Sequence, residues 1–133
     1  MATSSEIEGA GMPAGRTIEI EVMGPTTSPA AGAEISFRIN GAPAGRVTVG
    51  SIGNKPVFLE LSDAHATVEL GVSLLGQFQH SILPPGQDFI RFVFQSVPHF
   101  AVGVRGTAEC PDGRKGSPCV TCKSGNATWR MCG

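Results

Sequence analysis

Apolar and polar positions alternate along most of this chain with a period of two. Between residues 33 and 40, Ile35, Phe37 and Ile39 fall on one side and Glu34, Ser36 and Arg38 on the other. That is the pattern of a β-strand with one buried and one wet face. It predicts further strands at residues 17–23 (Ile18, Ile20 and Val22 inward), 46–49, 57–61 (Val57, Leu59, Leu61) and 67–75 (Val68, Leu70, Val72, Leu74). Residues 78–82 continue the series, with His80 on the same face as Phe78 and Ile82, which reads as an edge or a hydrogen-bonded core histidine. Residues 88–95 are apolar on both sides, with Ile90, Phe92 and Phe94 facing one way and Phe89 and Val93 the other. That predicts a central strand, or one lying under the C-terminal segment. Val102 and Val104 close the series.

Turn chemistry separates these runs. Pro25 and Pro29 make residues 24–32 a loop, because proline cannot donate to a central ladder. Asn40-Gly41 is a turn dipeptide, Pro43 to Gly45 extends it, and Pro84-Pro85-Gly86 bends the chain again. No 3.6-residue period is present, so helix is not expected. The fold class predicted is all-β: an antiparallel sandwich of about seven or eight strands over residues 17–106. A Gly-, Ser- and Ala-rich flexible arm, 1–16, precedes it, and a Cys-rich tail with a hairpin, 107–133, follows. The inward apolar positions suffice for a core without any staple, so the tail is expected to be an accessory.

Asn40 to Val49 with Gly53 and Val57 to Leu61 resembles the G-x-P-x-x-G-V-x-V…G…F-x-L pattern of bacterial prealbumin-like and Ig-like repeats. Leu83-Pro-Pro-Gly-Gln-Asp88 before an aromatic strand is similar to the L-x-P-G-x-Y step of the carboxypeptidase-regulatory type, with Phe89 where tyrosine is usual. The resemblance covers about residues 33–95. It implies an Ig-like or prealbumin-like sandwich with a stalk, spacer or ligand-presenting role, and no catalytic residues.

Composition narrows the function. Apolar residues make up 41% of the 133 and charged residues only 16%, with a net charge of -1. Such a chain has no basic field for nucleic acid or anionic lipid. The ends do differ in sign. Glu6, Glu8, Glu19, Glu21 and Glu34 precede residue 35 against Arg16, whereas Arg105, Arg114, Lys115, Lys123 and Arg130 outnumber Glu109 and Asp112 in the tail. Head-to-tail attraction between copies is one use of that asymmetry. No apolar run reaches the roughly 20 residues of a membrane-spanning helix. Residues 1–6 lack the basic start and apolar stretch of a signal peptide. The compartment is therefore read as secreted or cell-surface if a signal has been removed, with the cytoplasm as the alternative.

The four cysteines, Cys110, Cys119, Cys122 and Cys132, are confined to the tail with spacing C-x8-C-x2-C-x9-C. A hairpin turning at Gly125-Asn126 pairs residues whose numbers sum to 251, which sets Cys119 across from Cys132. Cys122 then faces Trp129 and is left for Cys110, so the favoured connectivity is Cys119–Cys132 with Cys110–Cys122. The alternative is a structural zinc held by the same four thiolates, with Cys119-x-x-Cys122 as a knuckle. A redox-active C-x-x-C is a third reading, weakened by the absence of a helix to lower the thiol pKa. Asn126-Ala-Thr128 is an N-glycosylation sequon in a surface turn. Trp129 either caps the tail's own small core or joins Lys123 and Arg130 in a binding patch for protein or carbohydrate.

Catalytic constellations are not legible. Asp63 and Ser62 near His65 read as a polar turn, and His80 and His99 have no partner in a recognisable motif. Glu60 and Glu69 lie on outward faces. The expectation is a non-enzymatic module that binds, spaces or self-assembles without a cofactor. The alternative is an intracellular interaction module whose four-cysteine tail holds a structural zinc.

Overall fold

The computed structural model describes residues 15–26, 32–50, 56–74, 76–94, 99–101 and 106–133. These form β1 (Arg16–Thr26), β2 (Ala33–Ile39), β3 (Ala42–Val49), β4 (Val57–Leu61), β5 (Val68–Leu74) and β6 (Gln77–Leu83), followed by β7 (Phe89–Val93), β8 (His99–Ala101), β9 (Thr107–Glu109), β10 (Lys115–Gly116), β11 (Cys119–Ser124) and β12 (Ala127–Cys132). No helix occurs among the described residues. Sheet A runs β11-β12-β4-β1-β7, with β8 also on β1, and sheet B runs β10-β9-β3-β2-β5-β6. Every pairing is antiparallel except β1 with β7.

The alternation read from sequence accounts for most of this. Ile18 and Ile20 from β1, Leu59 from β4, Ile35 from β2 and Leu70 and Val72 from β5 are fully buried in one apolar cluster shared by both sheets. Glu60 and Glu69 face outward with partial exposure. Asn40 and Gly41 both take positive φ, 51° and 84°, which the tight β2–β3 hairpin requires. Val102 and Val104 lie outside the described residues.

Several elements differ from expectation. Pro43 to Gly45 is not loop but the start of β3. A bulge lets it be so: Phe37 pairs with Gly45 and Arg38 with Pro43, leaving Ala44 without a ladder partner. Neighbouring β9 reaches only Arg46 to Thr48, so the missing Pro43 N–H interrupts no second ladder. Gly45 has φ 114°, and a Cβ there would lie 2.2 Å from the Glu109 carbonyl oxygen, so side chains are excluded at that crossing. Arg16, expected in the arm, instead opens β1 and is buried.

The largest correction concerns residues 107–133, which are woven into both sheets rather than appended. β12 pairs with β4 along Trp129↔Leu61 to Cys132↔Phe58, and β9 pairs with β3. Met131 and Trp129 sit in the common core at 0% and 5% exposure. Trp129 donates its indole N–H to the Ala44 carbonyl, 2.8 Å away, so sheet A satisfies a group freed by the bulge of sheet B. A buried carbonyl left without such a donor would cost about 1–3 kcal/mol.

Candidate functional site: two flanks and a charged face

Residues 106–133 close one flank of the sandwich. The sulfurs form Cys110–Cys122 and Cys119–Cys132, the connectivity the hairpin register favours, and β11 pairs with β12 from Cys119↔Cys132 to Ser124↔Ala127. The two bridges do different work. Cys119–Cys132 ties neighbouring strands within sheet A. Cys110 follows β9 of sheet B while Cys122 lies in β11 of sheet A, so their bridge crosses between the sheets. Both of its cysteines are buried, with Cα atoms 5.7 Å apart. The zinc and redox readings of these cysteines are thereby corrected, since bridged sulfurs offer neither thiolate ligands nor a free dithiol. Among the described residues no other group of three or more His, Cys, Asp or Glu is placed to hold a metal.

The remaining tail residues do not converge. Lys123 and Arg130 lie on the outer face of sheet A, while Trp129 on the same hairpin points inward. Trp129 therefore presents no stacking surface. Asn126 is exposed in the turn, and Gly125 beside it has φ 60°. His65 donates its backbone N–H to the Asp63 carboxylate at 2.8 Å, which makes the pair a local polar turn. His80 is exposed on β6, with Nε2 3.9 Å from Glu69. The side chain of His99 lies outside the described residues.

The opposite flank is built from β6 and β7, the terminal strands of the two sheets. Here the parity of both strands matters. Phe78, His80 and Ile82 face solvent, and Gln79, Ser81 and Leu83 turn inward. In β7, Phe92 is buried and Phe89 and Val93 are exposed. Phe78, Ile82, Phe89 and Val93, at 64%, 53%, 44% and 43% exposure, are the exposed large apolar side chains among the described residues. All four fall on these two strands. The inward face of β6 is polar because it overhangs the edge of β7, where Gln79 donates its amide N–H to the Val93 carbonyl at 2.9 Å. Phe78 leans across sheet B over Gly71, where a Cβ would come within 2.8 Å of its ring. Arg91 lies 5.6 Å above the Phe89 ring and pairs with Glu21 at 2.9 Å.

One buried cation fixes the turn between β6 and β7. The Arg16 guanidinium donates to the carbonyls of Pro84 (2.6 Å), Gln87 (2.7 Å) and Ala66, and to the Asp88 carboxylate (2.8 Å). It thereby gathers the β6–β7 and β4–β5 connections onto the start of β1. Residues 88–95 read as a central strand or one under the tail, whereas β7 is the terminal strand of sheet A away from the tail. Of the two readings of the Phe78, His80 and Ile82 face, edge or core, the edge is the one found. Period alone does not say which parity faces the core. The usable signal is Leu83, which shares parity with Gln79 and Ser81 and is buried where they turn inward.

A charged face covers the rest of sheet B. Arg46 is held between Glu34 (2.8 Å) and Glu109 (3.2 Å), and Arg38 lies 3.7 Å from Glu69. Glu109 first, then Glu34, raises the Arg46 pKa above its ordinary value. The guanidinium therefore keeps its charge throughout the pH range in which the chain is folded. A shallow groove of about 610 Å³ runs over this face, lined by Glu34, Arg38, Pro43, Arg46, Glu109 and Pro111 among others. Its two cations and two anions are largely paired, so it holds no surplus charge for an ionic ligand.

Set beside known proteins, the chain matches no family model, no curated protein and no solved structure. The prealbumin-like resemblance rests on its short motifs. What the structure defines is a class: an all-β sandwich of two antiparallel-dominated sheets carrying two disulfides near the C-terminus. Disulfides of this kind are typical of oxidising environments.

Proposed function

We propose that the chain is a non-enzymatic β-sandwich module that binds β-structured partners through the β6/β7 flank, secreted or at a cell surface. The observation that carries the reading is that, among the described residues, the four exposed large apolar side chains all lie on the two terminal strands of one flank. Scattered surface apolar residues need no explanation, but their restriction to the unpaired terminal strands matches what strand addition uses. The bridges at the other flank support an oxidising compartment, and the Ig-like or prealbumin-like resemblance supports a presenting or spacing role. Carbohydrate binding has less support, because Trp129 is buried away from solvent.

Peptide display against the intact, oxidised chain tests this. Extended, β-prone peptides should be selected, and their amide shift perturbations should map to β6 and β7. The variant carrying Phe78→Lys, Ile82→Lys, Phe89→Lys and Val93→Lys should lose them. Selection that maps to the Arg46 groove, or that survives in the variant, would contradict the proposal.

A further inference from the structure

We infer that the occupant of the β6 edge is a second copy of this chain, paired antiparallel through β6 about a two-fold axis at His80; this rests on the binding reading above.

β6 is the edge strand without a defence. Natural edges are blunted by charge, proline, brevity or cover. β10 has two residues and carries Lys115, β11 carries Lys123, and β7 carries Arg91 and is capped at Val93 by Gln79. β6 is seven residues long with no proline, Lys, Arg, Asp or Glu. Among the described residues, no hydrogen bond reaches its backbone from the free side. Charge also favours a like partner. In a two-fold pairing each strand meets its own sequence, so any charged strand risks like charges across the seam, and β6 brings none.

The order of side chains then selects one register. With His80 on the axis, paired residues sum to 160: Phe78 meets the partner's Ile82, Ile82 meets the partner's Phe78, and Gln79 meets the partner's Ser81. Both Phe–Ile pairs form on the outer face, where Phe78 and Ile82 are now exposed. Shifting the axis to Gln79 or Ser81 opposes Phe78 or Ile82 to a histidine, and a half-step shift sets inward residues against outward ones. Each six-stranded sheet B becomes half of a continuous sheet. The contact is small by interface standards, below about 1,200 Å², so a reversible, concentration-dependent dimer is expected.

Sedimentation velocity on the full oxidised chain from about 5 to about 500 µM covers the range for such a contact. The mass should rise from that of one 13.8 kDa chain towards twice that value. Phe78→Lys and Ile82→Lys should each raise the dissociation constant at least about tenfold, because the two-fold places every substitution in the seam twice. Lys123→Glu on the other flank should leave it unchanged. For register, His80→Cys should cross-link between copies under oxidised glutathione, since directly opposed residues lie within disulfide reach. Gln77→Cys, which opposes Leu83, should not. Peptide mapping would verify that both native bridges remain. A monomer at every concentration, a dimer indifferent to Phe78→Lys, or cross-linking at Gln77→Cys instead of His80→Cys would each overturn the inference. If the chain stays monomeric while displayed peptides still map to β6, self-pairing fails and the binding reading stands; if neither occurs, both fail.

Discussion

The two flanks of the sandwich use opposite materials. One is closed by a bridge between the sheets, by the Trp129 indole reaching the Ala44 carbonyl, and by a hairpin hydrogen-bonded to β4. At the other, Gln79 caps the Val93 carbonyl and Arg16 holds the β6–β7 turn, but no bridge crosses among the described residues and four large apolar side chains stand in water. A sandwich with one sealed flank can leave the other available without risking the core, because the sheets are already held together elsewhere. Stability and binding can thus reside in different residues.

That separation is open to attack by substitution. The largest loss is expected from Trp129→Ala, about 3–5 kcal/mol for an emptied aromatic site plus an unsatisfied carbonyl. Urea denaturation would measure it, and a loss under about 1 kcal/mol would mean that the hairpin is peripheral. Replacing Cys110 and Cys122 by alanine should cost about 3 kcal/mol by loop-closure entropy, lowering Tm by about 10 °C. Arg16→Met should cost about 2 kcal/mol, since it strips donors from three carbonyls. Its further mark is faster amide exchange at residues 84–88, and so a looser open flank. At the small end, Phe78→Lys or Ile82→Lys should change the stability of the monomer by no more than about 0.5 kcal/mol. A large loss at those exposed positions would erase the contrast between the flanks.

Much of the architecture is legible in the residues, and the exceptions have physical causes. The strands with clean alternation, such as β2 and β5, are readable because a single buried face dictates their pattern. The β11–β12 register follows from one turn dipeptide and pairing arithmetic, which favours Cys119–Cys132 with Cys110–Cys122 but by itself leaves a zinc site open. β6 and β7 defeat the pattern because edge strands have weak constraints. An inward Gln79 is tolerated there since it caps a carbonyl, and an outward Phe78 is tolerated since Gly71 leaves room for its ring. Trp129 is ambiguous in sequence because its partner is the Ala44 carbonyl, freed by a bulge that only register reveals. Arg16 reads as part of the arm because its ligands are backbone carbonyls of distant turns, which leave no trace in side-chain pattern. The candidate site therefore lies where periodicity says least.

Native-state hydrogen exchange of the dilute monomer, with and without reductant, tests the division between the flanks most directly. Half of the β6 amides, those on its free side, should exchange fast in both conditions. Those of β9 and β12, and the β11 amides that face β12, should be protected in the oxidised chain and lose protection on reduction. Uniform protection of β6, or a C-terminal segment whose exchange ignores the reductant, would contradict the account.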